Sequence, residues 1–191
     1  MTDWTIILWN DARQIAEQAG LDKKFFPEGE TPPQTMFENL RRDGHNVEAA
    51  LTVAFALPRF DMLVWLSKVL PAPEKSDPDF RQRSLLRDTA QRWIDDPDDE
   101  NRRALYELAD NADSDWPETL FAMAIFFSGG SIAPPDLEAV PADPSVSVHL
   151  AVTALQSAVI YGGRPNMEIM QNALDLAHEV AMKGRKAVAN I

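Results

Sequence analysis

The sequence predicts an all-α fold, an irregular multi-helix bundle of about eight or nine helices with one long Gly/Pro loop. Three observations carry that expectation. Proline is abundant, 14 residues against 8 glycines, and recurs just after Thr, Asp or Arg where helix-compatible segments begin. Within several segments apolar residues repeat at spacings of three and four, the period of one helix face. Two other segments are apolar all round, which marks helices buried on every side.

Proline suits the first position of a helix because the N–H it lacks has no partner there. A Thr or Asp before it can accept hydrogen bonds from the free N–H groups of the first turn. Thr31-Pro32, Asp77-Pro78, Asp96-Pro97, Asp143-Pro144 and Gly163-Arg164-Pro165 therefore read as helix starts. Together with the apolar spacing they place helices at 10–20, 32–43, 46–57, 58–70, 78–95, 97–112, 115–128, 144–161 and 165–186. Trp4 to Trp9 reads as a short extended arm. Segment 165–186 has a clean stripe of Met167, Met170, Leu174, Ala177 and Ala181. Segment 97–112 turns Leu105, Leu108, Ala109 and Ala112 to one side and leaves Arg102, Arg103 and Glu107 for solvent.

Every residue from Leu120 to Phe127 is apolar, and most are from Val146 to Tyr161, so both segments are expected at the centre of the bundle. The second is rich in β-branched residues, which makes a strand its rival. Length decides for helix, since strands rarely exceed ~10 residues.

One long irregular connection is expected, Ser128 to Asp143, with two Gly, three Pro and no Lys or Arg. Loops of that length inside compact domains are uncommon and often functional. The proline-rich link from Pro71 to Asp77 marks a boundary inside a single helical domain, 1–191, between lobes at 10–70 and 78–186. No fixed-period repeat is visible.

Acidic residues outnumber basic ones, 30 to 18, for a net charge of −12. Such an excess repels phosphate at long range, so nucleic acid is not an expected partner. With no cysteine the chain offers no disulfide, no thiol nucleophile and no zinc–thiolate site. No apolar run approaches the ~20 residues of a membrane span. The first ten residues lack the basic and long apolar stretches of a secretory signal, so a cytoplasmic protein is expected.

Catalytic and metal-binding patterns are sought and not found. His45, His149 and His178 are the only histidines. Asp175 and Glu179 beside His178 resemble half of a di-iron motif, but the second such motif and its extra carboxylates are missing. Asp95-Asp-Pro-Asp-Asp-Glu100 lacks the alternate spacing and central glycine of a calcium loop. It reads instead as a helix start, with Asp96 as cap, Pro97 first, and the following acids at the positive end of the dipole. Ser128-Gly-Gly-Ser131 follows a helix rather than leading into one, so it reads as a helix terminus with a left-handed Gly129 or Gly130, not as a phosphate loop. No catalytic residue, metal or cofactor is expected. Trp65, Trp93 and Trp116 read first as core, and as the lining of any ligand pocket between the lobes. Arg59, at a helix start where a cation is mildly unfavourable, reads as paired to an acid or to a partner.

Ala56-Leu-Pro-Arg59 followed by Met62-Leu-Val-Trp65 resembles the Ala-Leu-Pro-x-Arg-x-Ala-Val-Trp-Trp stretch of an uncharacterised bacterial family. Trp93 to Pro97, Glu100-Asn-Arg-Arg-Ala104 and above all Phe127-Ser-Gly-Gly-Ser-Ile-Ala-Pro-Pro135 extend the similarity, the last matching the family's Trp-Ser-Gly-Gly-Ser-Leu-Ala-Pro-Pro. It runs from about residue 10 to 180, with departures at Phe60 and Phe127. The resemblance implies no activity and no catalytic residue. It implies a loose association with type VI secretion gene clusters.

The functional expectation is a non-enzymatic helical adaptor acting through protein–protein contacts. Ser128, Gly129, Gly130, Ser131, Pro134 and Pro135, with Arg59, form its candidate partner-binding residues, because prolines reduce the entropy lost on docking. The alternatives are an acidic immunity or inhibitor protein for a basic effector, motivated by the charge, and a small-molecule binder using Trp65, Trp93 and Trp116.

Overall fold

The computed structural model describes residues 3–163 and 165–189. Among them are nine α-helices: α1 (Ala12–Gln18), α2 (Pro33–Arg42), α3 (Asn46–Ala56), α4 (Arg59–Val69), α5 (Phe80–Asp95), α6 (Asp99–Asp110), α7 (Pro117–Phe126), α8 (Pro144–Ile160) and α9 (Met167–Lys183). Two short 3₁₀ turns lie at Lys23–Phe25 and Gly184–Ala187. The described residues contain no strand, only an isolated antiparallel bridge between Ser131 and Pro141. The fold is all-α, and 144–161 is helix rather than strand.

The Asp143-Pro144 start is met: Pro144 opens α8, and Asp143 Oδ1 accepts from Ser145 N at 2.8 Å. The Thr31-Pro32 start slips by one residue, because Pro33 is the first helical residue and Pro32 its cap, with no side-chain cap bond. Three more starts differ. α6 begins at Asp99, and its cap is Asp98, which accepts from Asn101 N at 2.7 Å, while Asp96 closes the end of α5. The Asp98 carboxylate has the better reach, since an N-cap acts two or three residues ahead. α5 begins at Phe80, because Asp77 turns back on Asp79 N at 2.8 Å and holds Pro78 outside the helix. α9 begins at Met167, where Asn166 Oδ1 accepts from Glu168 N at 3.1 Å; Arg164, within the expected start, lies outside the described residues.

The described residues form two compact units. One comprises the chain up to Val69 together with that from Met170 onward; the other is Leu70–Ile169. In the first, α3 and α4 are buried nearly all round: Met62, Leu63, Val64, Trp65 and Leu66 are consecutive core residues. Burying each large side chain contributes roughly 1.5–3 kcal/mol. Trp65 is fully buried, and its indole N–H donates to Ala173 O on α9 at 2.8 Å. Residues 4–9 form an irregular arm with bends at Ile6 and Leu8: Thr5 N and Ile6 N donate to Ala181 O, and Leu8 N donates to Ala56 O.

In the second unit α7 and α8 are the central pair, as expected from their all-round apolarity. Small residues let them approach closely, and Ser147 Oγ donates to Ala124 O at 2.7 Å across a buried contact. α5 and α6 pack against α7 with one apolar stripe each, Leu86, Ala90 and Trp93 on the former, Leu105 and Ala109 on the latter.

Candidate functional site

The loop after α7 is held by two arginines from α6. An α-helix leaves its last carbonyls without partners, and at the end of α7 a side chain supplies one: Arg102 Nη1 donates to Phe126 O at 2.7 Å. Arg102 Nη2 donates to Ser131 O at 2.8 Å, so one guanidinium ties the helix end to the loop. Phe126 also places its ring 4.7 Å from the cation. Arg103, next in sequence, donates from Nη1 to Ala133 O at 2.9 Å and from Nη2 to Ser131 O at 3.1 Å. Asp99 receives both side chains, Arg102 Nε at 2.9 Å and Arg103 Nε at 2.8 Å. Hydrogen bonds from Arg103 and then Arg102 hold its carboxyl below the usual value of 3.8.

Arg102 does not face solvent, and Arg103 is half-buried. Arg102 is 3% exposed, because the loop's carbonyls lie over the first turn of α6 and require a donor beneath them. The loop closes on itself as well. Ser131 Oγ accepts from Ala133 N at 3.1 Å and Val140 N at 3.0 Å, and Ile132 N donates to Val140 O at 2.9 Å. Gly130 has φ +70°, and a Cβ there would meet Arg102 Nη2 at 2.9 Å, so glycine is required. Gly129 has an ordinary φ and open space, so of the two expected candidates only Gly130 is left-handed. Ser128 Oγ donates to Ile125 O at 2.7 Å, and Pro134 accepts at its carbonyl from Leu137 N at 3.1 Å. Pro135 lies on the exposed part of the loop. The closed loop presents Ile132, Leu137 (62% exposed) and Val140 to solvent.

The other expected site residues are placed as follows. Arg59 opens α4 in the first unit, half-buried, whereas the loop belongs to the second. Trp65, Trp93 and Trp116 are all buried; the Trp93 indole N–H donates to Asp98 O at 3.1 Å, beside the start of α6. Trp116 lies 6.0 Å from the guanidinium of Arg83. His178 Nδ1 accepts from the indole of Trp4 at 3.1 Å and stacks on Phe37, while Asp175 pairs with Arg41 at 2.7 Å. His178 thus has a packing role, and Asp175 forms a surface ion pair. Among the described residues no cluster of three or more His, Asp or Glu is arranged to hold a metal ion.

A second buried arginine was absent from the expected site residues. Arg83 on α5 meets Glu118 of α7 with two parallel bonds of 3.0 Å, and Asp77 of the proline-rich link at 2.5 Å. Tyr161 covers the guanidinium at 4.0 Å and donates its hydroxyl to Asp77 at 3.2 Å. Burial works against the charge on Arg83, but its interactions with Glu118, Asp77 and Tyr161 together outweigh it and raise its affinity for the proton. The backbone N–H of Asp79 and then Arg83 hold the Asp77 carboxyl low, and burial pushes the Tyr161 hydroxyl up.

The geometry defines a helical protein with a side-chain-clamped surface loop. The chain belongs to a family of unknown function, DUF6931, whose model matches residues 36–181. The matched span includes both arginines of α6 and the loop they hold. No curated protein and no solved structure matches the chain. No helix among the described residues is long and apolar enough to cross a membrane.

Proposed function

We propose that the protein is a non-enzymatic adaptor that docks another protein through loop 128–143, within a bacterial multi-protein assembly of the type VI secretion kind. The observation that supports this reading is the clamp. Arg102 and Arg103 fix the loop by four bonds to its own carbonyls and to the end of α7, so the ordering cost is met before any partner arrives. Three large apolar side chains then stand in solvent on a fixed frame. Isolated exposed apolar residues are ordinary, but a preorganised group of them marks an interaction surface.

The composition of the loop supports one chemistry for its partner. It carries Asp136 and Glu138 beside Leu137 and no basic residue. A partner that accepts Leu137 and Val140 in an apolar socket rimmed by Lys or Arg matches it in shape and sign. An immunity or inhibitor protein acting on a basic effector would use the whole acidic surface instead. Tagged wild-type protein and a Leu137→Asp variant, purified from the native host at low and moderate salt, separate these readings. The adaptor predicts a protein recovered at both salt concentrations by wild type and lost by the variant. Recovery that is undiminished by the substitution overturns it, and recovery that fails only with salt favours the inhibitor.

A further inference from the structure

The second unit contains a cleft of about 490 Å³ that the loop does not touch. Its walls include Pro71, Pro73, Pro117 and Ile169, and its polar groups include Glu74 and Asp77, with Arg83 at the base under Tyr161. The hydrogen-bond inventory of these groups decides the sign of what fits. Arg83 directs Nε and Nη2 to Glu118 and Nη1 to Asp77, so its cation is committed to two carboxylates. Arg87, behind the link, spends Nη1 on the carbonyls of Leu70 and Pro71. The Tyr161 hydroxyl is donated to Asp77. An anionic ligand would find the Arg83 cation committed and would meet the field of Glu74, Asp77 and Glu118.

Acceptor capacity is left over. An ionised carboxylate offers about four lone-pair sites. Among the described residues Glu74 accepts from Ser76 Oγ at 3.2 Å, and Asp77 Oδ1 takes one bond, from Asp79 N, so both retain capacity. Four apolar residues in the same walls suit a methylene chain, and an aromatic ring stands beside them. Buried arginine, carboxylates and an aromatic ring at the base of a cleft with apolar walls are the ordinary makings of a ligand site.

We propose that this cleft binds an alkylammonium group, the end of a lysine side chain or of a free alkylamine, with its stem along the prolines and Ile169 and its head at Glu74 and Asp77. This site is separate from the docking loop and stands or falls independently of it.

The test uses the full chain and three probes followed by calorimetry and by the ring resonances of Tyr161, assigned with Tyr161→Phe. Pentylamine and Nα-acetyl-lysine N-methylamide represent the free and the peptide amine; pentanoate carries the same stem with the opposite charge. At low ionic strength an amine binds saturably and moves the Tyr161 resonances, and pentanoate does neither. Glu74→Gln, at an exposed position outside the Arg83 network, leaves the melting temperature unchanged and weakens the amine several-fold. Tighter binding of the lysine derivative assigns the site to a peptide, and tighter binding of pentylamine to a free amine. The proposal is overturned if pentanoate binds as well as the amines, if Tyr161 does not respond, or if Glu74→Gln leaves affinity unchanged.

Discussion

Arg102 occupies the space that a side chain at position 130 would need. Its Nη2 lies 2.9 Å from where the Cβ would stand, and the φ of Gly130 is +70°. The glycine and the arginine are 28 residues apart in sequence and form one device: the glycine lets the loop come down onto the guanidinium, and the guanidinium supplies the donors that hold it. Replacing Gly130 by alanine therefore costs both backbone strain and displacement of a buried cation, on the order of 2–4 kcal/mol together. Gly129→Ala is near neutral, because its φ is ordinary and nothing lies within 4 Å. Chemical denaturation of the two variants side by side checks the contrast.

Arg103→Ala frees the carbonyl of Ala133 and leaves that of Ser131 to Arg102 alone, without opening the core, since the Arg103 side chain is 21% exposed. The expected loss of global stability is about 1 kcal/mol. The local effect is larger: the amides of Ala133 and Val140, both bonded to Ser131 Oγ, exchange faster with solvent. Hydrogen exchange measured residue by residue reads this directly, and unchanged protection at Val140 would show that the loop holds itself.

Removing Arg83 leaves Glu118 charged and buried without a partner. Arg83→Leu should cost about 3–5 kcal/mol, because the lost attraction no longer offsets desolvation of the carboxylate. Replacing both Arg83 and Glu118 with leucine should recover much of that loss. Denaturation midpoints of the single and double variants decide it; a double variant as unstable as the single one contradicts the pairing.

The acid limb follows from Asp99. Its folded pKa is depressed by the hydrogen bonds of Arg103 and Arg102. A depressed carboxyl contributes stability that is full above its unfolded value, near 3.8, and is lost as the pH falls through the lower folded value. Asp99→Asn should therefore be less stable than wild type at neutral pH, and the difference should close below that range. Thermal melts across an acid series measure the convergence.

Much of the helix pattern is legible in the sequence, because proline and aspartate act within a turn of their own position and apolar spacing reports burial directly. Where the expected starts slip, spacing does not show why: at Asp96 a neighbouring aspartate, Asp98, takes the first-turn N–H, and at Asp77 the carboxylate bonds Asp79 N before the helix begins. α3 and α4 hide their central position behind Arg59, Asp61 and Lys68, which sit on or near the ends of α4. The clamp is harder to read. Arg102 reaches carbonyls 24 and 29 residues downstream, and side-chain-to-backbone contacts leave no periodic mark. One signal was present: Arg102 lies three residues before Leu105 and seven before Ala109, in register with the buried stripe of α6. Arg83 stands in the same relation to Leu86 and Ala90 on α5. A charged residue at the head of an apolar stripe is buried with its partners, and reading it as solvent-facing overlooks the register.

The docking role of the loop is tested most directly by a photo-crosslinking amino acid placed at Leu137 and, as a control, at Leu8, which is equally exposed but lies on the N-terminal arm. Expressed in the native host and irradiated in cells, the Leu137 probe should capture a discrete protein that the Leu8 probe does not, and the capture should fall when Arg103→Ala is combined with it. A Leu137 probe that captures nothing, or the same background as Leu8, contradicts the account.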